Sequence, residues 1–214
     1  MFCNIVTVDG NPYPGDPRYI LRRALKRAED CGYTFYVGPE LEFFYFKGAE
    51  APPQPLDKAG YFDQVPSDIG RTLRKKTIKA LKEMDMAVET SHHEVAHSQH
   101  EIDLRYCEAM KMADQVMTYR FIVKEIAVEN GYYATFMPKP IQAQNGSGMH
   151  VNMSLFKDGE NAFCDPKRPG GLSNMCEHFL AGLMRHAREL TAVTNQWINS
   201  YKRLTPGYEA PVYI

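Results

Sequence analysis

The sequence has few of the features that mark nucleic-acid-binding, membrane-spanning or secreted proteins. Its 214 residues carry 25 basic and 26 acidic side chains, so it lacks the basic excess that is typical of nucleic-acid binders. No apolar run approaches the roughly 20 residues that a transmembrane helix needs. The first ten residues, MFCNIVTVDG, lack the basic and apolar regions of a signal peptide. We therefore expect a cytoplasmic protein that binds neither nucleic acid nor membrane.

Paired cysteines are also missing. The five cysteines are scattered along the chain and form no Cys-x-x-Cys pair. An odd, dispersed set argues against both a disulfide framework and a thiolate zinc site. We expect these residues to be buried, reduced thiols.

Helix signals occur at four places. Asp16 is a good N-cap and Pro17 suits the first helical position, so a helix is predicted to run from there to about Asp30. The last helix is predicted to bury an apolar stripe that includes Leu190 and Trp197. The remaining predicted helices span about 68–86, 108–129 and 172–201.

The predicted strands do not alternate regularly with these helices. The aromatic segment 33–46 predicts a strand, or a strand pair kinked at Gly38-Pro39. Further strands are predicted over 87–105, 132–141 and 149–157. Without a regular βαβ repeat, this pattern indicates an α+β fold.

The first chemical motif is GPELEFF, at 38–44. Side chains alternate faces along a strand, so Glu40 and Glu42 share a face and Leu41 and Phe43 share the other. Two neighbouring carboxylates repel each other unless their charge is compensated. A divalent cation is a common compensation, because hard cations prefer oxygen ligands. The alternative is a solvated strand face, where Glu-x-Glu is ordinary.

The second motif, HHEVAHSQHEID at 92–103, holds four histidines and two glutamates within ten positions. Residues 93–97 match the His-Glu-x-x-His pattern of zinc proteases, which works only on a helix because residues i and i+4 must share a face. The alternation of Ile102 and Leu104 with charged residues favours an extended chain instead. A zinc metalloprotease is therefore kept only as an alternative.

Two further motifs lie towards the end of the sequence. In NGSGMHVNMS, at 145–154, the glycines let the backbone approach a ligand closely, and His150 could bind a metal. The alternative is a turn followed by a satisfied core histidine. In NSYKRLTPGYEAP, at 199–211, Arg203 ends a helix beside a loop that bears Glu209. A guanidinium there suits a carboxylate or phosphate, although a simple helix-end cation is the alternative.

Together and in this order, the four motifs closely resemble the signature blocks of class I glutamine synthetases of the bacterial and archaeal type. The segments GYFDQVPSD and GDPRYILRRAL extend the resemblance over essentially the whole chain. It implies a central antiparallel-rich curved sheet flanked by long helices. It also implies that residues 1–214 form one partial catalytic domain, truncated at both ends, with the N-terminal β-grasp domain and the C-terminal part of the catalytic domain absent.

The resemblance implies two metal sites that take Mg²⁺ or Mn²⁺. Glu42, Glu94 and Glu101 would hold the cation nearer to glutamate. Glu40 and His150 would hold the second cation, which faces the phosphates of ATP. Hard, oxygen-rich sites of this kind accept both ions.

The resemblance also implies the substrate contacts. Asn145 and Gly146 would bind the amino group of glutamate, and Arg203 its α-carboxylate. Glu209 would close the site and help to deprotonate ammonium. The nucleotide pocket would be lined by Tyr61, Glu89, Tyr106, Asn152 and Ser154.

The implied reaction joins L-glutamate and ammonia at the expense of ATP, through γ-glutamyl phosphate, in a homo-dodecamer with active sites between subunits. Two cations would neutralise the charge of phosphoryl transfer. A related ligase that joins glutamate to a polyamine or another amine is an alternative, as is a truncated, non-catalytic paralogue. With both ends missing, the 214 residues alone are expected to be inactive.

Overall fold

The computed structural model describes residues 1–209, which divide into two compact units. Unit 1 contains residues 1–38, 106–115 and 152–187, and unit 2 contains residues 39–105, 116–151 and 188–209. The end of the motif NSYKRLTPGYEAP, Ala210 and Pro211, lies outside the described residues. The prediction of a single partial domain stays a prediction.

The described residues form α-helices and one largely antiparallel sheet, which confirms the α+β class. The helices are α1 (Pro17–Asp30), α2 (Arg71–Glu83), α3 (Ala109–Glu129), α4 (Asn174–Arg185), α5 (Ala187–Thr194) and α6 (Ile198–Arg203). The strands are β1 (Thr34–Phe46), β2 (Val88–His93), β3 (Gln99–Leu104), β4 (Cys107–Glu108), β5 (Tyr133–Thr135), β6 (Met149–Lys157) and β7 (Glu160–Asn161). The sheet has the order β2-β3-β1-β6-β7, and β4 and β5 also pair with β1. No helix in residues 1–209 has the length and apolar character needed to cross a bilayer.

In unit 1, α1 begins as predicted. The side chain of Asp16 accepts a hydrogen bond from the Arg18 N–H at 3.0 Å, and Pro17 takes the first turn of the helix. An N-cap acceptor and a proline at this position both suit a helix start, because the first N–H groups have no partner within the helix. An ion pair between Arg18 and Asp114 ties α1 to the beginning of α3.

In unit 2, β1 supplies the centre of the core. Leu41, Phe43 and Tyr45 are buried, whereas Glu40 and Glu42 on the other face remain partly exposed, as the alternation predicted. Tyr119 of α3 packs edge-on against Phe43, with ring centroids 6.4 Å apart. The single run from Thr34 to Phe46 shows that the chain forms one strand here, not a kinked pair.

The predicted strand over 87–105 is a hairpin, β2–β3, with a loop at 94–98. Ser98 adopts a positive φ of 62° at the end of this loop. His93 belongs to a strand and His97 to a turn, so they cannot share a helical face. The zinc metalloprotease alternative is therefore wrong, because the His-Glu-x-x-His pattern needs that shared face.

The predicted helix over 172–201 is also wrong in part, because the chain forms three helices there, α4, α5 and α6. Asn195 turns its side-chain oxygen towards the Arg203 guanidinium at 2.9 Å, and Trp197 has an extended backbone. Trp197 is consequently 67% exposed, and no continuous buried stripe passes through it. The five cysteines are free thiols as predicted, but Cys176 alone among them is buried.

Candidate active site

Unit 2 gathers carboxylates from separate strands at one place. Glu42 on β1 lies opposite Glu101 on β3, and His92 on β2 lies opposite Glu101 on the other side. The Nε2 atom of His92 lies 2.7 Å from Glu94 Oε1 and 3.2 Å from Glu101 Oε2. We call Glu42, Glu94, Glu101 and Asp103, together with His92, the acidic cluster.

The charges in the acidic cluster perturb one another strongly. Burial raises the pKa of Glu42, and the nearby Glu94 charge adds to this effect. Burial and the Asp103 charge likewise raise the pKa of Glu101, despite its hydrogen bond with His92. Hydrogen bonds to Glu101 and Glu94 raise the pKa of His92 to about 10. The imidazolium thus supplies one positive charge to a cluster of four carboxylates.

The donor set of this cluster fits a hard divalent cation. Ligand oxygens of Glu94 and Glu101 lie within 4.8 Å of each other, and a cation bound between them would displace the proton that His92 now shares with both. Carboxylate oxygens are the ligands that Mg²⁺ and Mn²⁺ prefer. The excess of negative charge, held in a half-buried position, is the condition under which such a cation is bound most favourably.

The Glu42 carboxylate is held from one side. Its Oε2 atom accepts hydrogen bonds from Gln99 Nε2 at 2.8 Å and from the Gly148 N–H at 3.0 Å. Within residues 1–209, both hydrogen bonds to the Glu42 side chain end on Oε2. Oε1 is therefore the oxygen that is left to a ligand.

The structure also brings Glu40 and His150 together. Nδ1 of His150 lies 3.2 Å from Glu40 Oε2, although the two residues are far apart in the sequence. The His150 side chain is 77% exposed, in contrast to the half-buried acidic cluster. An imidazole and a carboxylate at this distance can share a cation with ligands from elsewhere.

The loop 145–148 lies close to Arg203 and Glu209. The side-chain amide of Asn145 donates to Glu209 Oε2 at 2.6 Å. A Cβ atom at Gly146 would lie 2.3 Å from the Pro138 carbonyl oxygen and 3.0 Å from Arg203 Cγ. Glycine is therefore required at this position by the close approach of the backbone.

Arg203 is oriented by two neighbours. Its NH1 atom donates to the Ser147 carbonyl at 3.3 Å and its NH2 atom to Asn195 Oδ1 at 2.9 Å. Its Nε atom is buried and has no hydrogen-bond partner in the described part of the chain. A buried donor without a partner costs about 1–3 kcal/mol, which favours the binding of an anion beside it.

The helix that carries Arg203 is fixed to the segment before the loop. Asn199 of α6 accepts a hydrogen bond from the Lys139 N–H at 2.7 Å and donates to the Lys139 carbonyl at 3.0 Å. One carboxamide thus satisfies both backbone groups of a buried residue. The position of Arg203 relative to the loop 145–148 depends on this pair of bonds.

The five residues predicted to bind the nucleotide are divided between the units. In unit 2, the exposed Tyr61 contacts the His92 ring edge-on at 5.6 Å, and Glu89 is exposed on β2. The other three, Tyr106, Asn152 and Ser154, belong to unit 1.

In unit 1, a cavity of about 500 Å³ is lined in part by Tyr36, Tyr106 and Phe156. The rings of Tyr106 and Phe156 are nearly parallel, 6.3 Å apart. Asn152 donates to the Gly38 carbonyl at 3.3 Å. Flat aromatic surfaces of this kind suit the face of a planar ring.

A second buried cluster contains Asp57, Asp68, His93 and His100. It already holds a cation of its own, because Arg74 NH2 lies 2.7 Å from Asp68 Oδ2 and Arg74 NH1 lies 2.7 Å from His100 Nδ1. A metal ion would be repelled by that guanidinium. This cluster therefore supports the hairpin, since Asp57 contacts His93 Nε2 at 3.0 Å and accepts from the Ser98 N–H at 3.1 Å.

Sequence reasoning assigned no role to His92 or Gln99. Both lie on the face of the hairpin that carries the acidic cluster, and alternation along the two strands would have placed them there. The missing information was the register, which sets His92 opposite Glu101. Once 87–105 had been divided into two strands, both residues would have become candidates.

The chain is similar to known proteins along almost its whole length. The family model "Glutamine synthetase, catalytic domain" matches residues 14–214. A glutamine synthetase of Methanosarcina mazei is 54% identical over 96% of the chain, and one of Clostridium saccharobutylicum is 52% identical over all of it. The chain spans 47% and 49% of the lengths of these two proteins.

Structural comparison gives the same result. A solved glutamine synthetase of Plasmodium falciparum superposes with a TM-score of 0.88 at 32% identity, over 97% of this chain and 47% of the other. The sequence match and the structural match therefore both cover almost the whole chain. The chain belongs to the glutamine synthetase catalytic-domain family.

Proposed function

We propose that this chain provides the cation-binding and glutamate-binding part of an enzyme that ligates L-glutamate and ammonia with ATP, through γ-glutamyl phosphate. One observation carries the proposal. Glu42, Glu94 and Glu101, from three separate segments, converge beside the loop 145–148. Such a site neutralises and orients anions, which is most of what phosphoryl transfer requires.

Two cations, Mg²⁺ or Mn²⁺, would neutralise phosphate and carboxylate charge when bound. Glu42, Glu94 and Glu101 would hold the first cation. Glu40 and His150 would hold the second. Because an imidazole ligand adds no negative charge, that cation would keep more of its positive charge for phosphate oxygens. The contacts of Glu42 support this assignment, because they leave one oxygen of its carboxylate for a ligand.

The loop and its neighbours would bind the amino acid. Arg203 would bind the α-carboxylate, and Asn145 and Gly146 the amino group. Glu209 would accept a proton from ammonium, and its hydrogen bond with Asn145 supports a place next to the substrate. The whole active enzyme would be a homo-dodecamer in the cytoplasm. The exposed Trp197 and Ile198, at 67% and 84%, support burial against another protein surface.

ATP would bind through the nucleotide-contacting residues Tyr61, Glu89, Tyr106, Asn152 and Ser154. The paired rings that line the cavity of unit 1 support a purine in contact with Tyr106. Tyr61 lies next to His92, so it would also contact ligands at the acidic cluster.

The amine acceptor separates the proposal from its nearest alternative, a ligase for larger amines. The carboxylate of Glu209 favours ammonium, because a small cation can be held and deprotonated there. We do not assign ligase activity to the 214 residues by themselves.

The test replaces the matching segment of the Clostridium saccharobutylicum relative with this chain. ADP release is then measured as a function of L-glutamate with ammonium, methylamine or putrescine. We expect release that depends on both glutamate and ammonium, and loss of at least about 100-fold in Glu42→Gln. Preference for putrescine would favour the alternative. An inactive chimera in which the isolated chain also fails to bind Mn²⁺ would contradict the proposal.

A further inference from the structure

Gln99 makes an unusual set of contacts for a residue with no assigned role. It is 1% exposed, and both of its amide hydrogens and its side-chain oxygen form hydrogen bonds. Its Nε2 atom donates to Glu42 Oε2 at 2.8 Å and to the Gly146 carbonyl at 3.0 Å. Its Oε1 atom accepts from the Ala96 N–H at 3.1 Å. Each of the two amide hydrogens therefore goes to a different part of the candidate site.

The sheet explains why this side chain reaches both partners. Gln99 pairs with Phe44, so it lies diagonally across from Glu42 on the neighbouring strand. Long side chains reach diagonal neighbours in an antiparallel pair. The strand thus directs the amide to Glu42, and the loop 145–148 presents the Gly146 carbonyl to the second hydrogen.

On the basis of the function proposed above, we propose that Gln99 is a positioning residue that couples cation binding at Glu42 to amino-acid binding at the loop 145–148. One planar NH₂ group fixes the distance between the Glu42 carboxylate and the Gly146 carbonyl. A cation that draws Glu42 into place therefore also sets the loop that meets the amino group. The coupling is reciprocal, because each ligand must change the affinity of the other by the same factor.

A simpler role for Gln99 is closure of the hairpin loop. Its backbone already closes that loop, since Gln99 N donates to Ala96 O at 3.0 Å and Glu94 N donates to Gln99 O at 2.8 Å. The side-chain oxygen adds the bond from Ala96. This role would need the oxygen of Gln99 and not its NH₂ group, so the two roles can be separated by substitution.

The experiment measures Mn²⁺ binding to the 214-residue chain by electron paramagnetic resonance, without and with saturating L-glutamate. Gln99→Met removes the donors and the acceptor at similar volume. Gln99→Glu keeps the oxygen that accepts from Ala96 and removes both donors, so it also serves if Gln99→Met does not fold. Thr77→Val, at a fully buried position on α2, is the control for general destabilisation.

In the wild-type chain, we expect L-glutamate to tighten Mn²⁺ binding about tenfold, within the usual range of coupling. In Gln99→Met the Kd for Mn²⁺ itself rises about tenfold, as it does on loss of other residues that orient metal ligands. In both Gln99 variants the effect of L-glutamate on that Kd largely disappears. Thr77→Val keeps the wild-type coupling.

The outcomes distinguish this inference from the function on which it rests. Binding that Glu42→Gln weakens, with coupling that both Gln99 variants retain or that the wild-type chain lacks, overturns the role of Gln99 alone. Absence of Mn²⁺ binding in the wild-type chain, or binding that Glu42→Gln leaves unchanged, overturns the proposed function and this role with it.

Discussion

Glu42 and Glu101 lie directly opposite each other on neighbouring antiparallel strands. Like charges at facing positions destabilise a sheet by up to about 1 kcal/mol relative to neutral pairs. Here burial increases the conflict, as the raised pKa values of both glutamates indicate. The repulsion between these two carboxylates must be compensated, and a cation bound between the strands would do so.

The first prediction concerns Glu42→Gln, which should have opposite effects without and with a cation. It neutralises a carboxylate with a raised pKa and keeps an oxygen for Gln99 and Gly148. We therefore expect the free energy of unfolding without metal to rise by up to about 1 kcal/mol. The Kd for Mn²⁺ should rise at least about tenfold. Urea unfolding and calorimetric titration measure the two effects, and Glu83→Gln on the exposed face of α2 is the control.

The second prediction concerns the close packing of the loop. Gly146→Ala places a methyl group against the Pro138 carbonyl, and we expect a loss of about 1–3 kcal/mol in the free energy of unfolding. Gly182→Ala on α4 meets nothing within 4 Å and should gain about 0.5–1 kcal/mol. Urea unfolding of both variants gives the comparison. Equal effects of the two substitutions would show that the loop can move away from Pro138.

The third prediction concerns Arg203→Lys, which keeps the positive charge but loses the planar guanidinium. The bonds to Ser147 and Asn195 cannot both be kept, so the cation is no longer held in place. We expect the affinity of the Mn²⁺-loaded chain for L-glutamate to fall about tenfold, the size of one lost charge-assisted hydrogen bond. Isothermal titration checks this, with Arg185→Lys on α4 as the control. Unchanged affinity would place the α-carboxylate elsewhere.

The fourth prediction concerns acid stability. Burial alone would raise the pKa of Asp57, but its hydrogen bond with His93 and the charges of His93 and His100 lower it from 3.8 to about 2. Because the folded-state pKa is the lower one, the ionised carboxylate stabilises the fold above about pH 4, and this contribution is lost as the pH falls towards 2.

Asp57→Asn should therefore flatten the fall in the free energy of unfolding over that pH range, whereas the exposed Asp9→Asn should not. Urea unfolding at several pH values between 2 and 5 measures the slopes. An unchanged slope in Asp57→Asn would show that another carboxylate dominates acid unfolding.

Several local features could be predicted because local chemistry decides them. Asp16 and Pro17 mark the start of α1 through capping, and that start was predicted correctly. Alternation along β1 placed Glu40 and Glu42 on the face opposite Leu41. The motif resemblance gave the family, which the comparisons confirm. These inferences need only neighbours along the chain or similarity to known sequences.

Other features depend on contacts that the sequence does not reveal. The hairpin loop at 94–98 contains no glycine, proline or asparagine to signal a turn. It forms because Asp57, 41 residues away from Ser98 in the sequence, holds that residue by its N–H and its hydroxyl. The predicted last helix likewise breaks where Asn195 is used to hold Arg203. In both places, tertiary hydrogen bonds override local propensity.

The bond from the Gly148 N–H to Glu42 spans 106 residues of sequence, and the contact of His150 with Glu40 spans 110. Contacts of such high sequence separation cost more chain-closure entropy than those within the β2–β3 hairpin, so we expect them to form after it. A partly folded chain that has formed only the β2–β3 hairpin would therefore lack the complete site and would not bind Mn²⁺. Binding of the ion would require the native topology, and an added ion would slow unfolding because it binds only the native state.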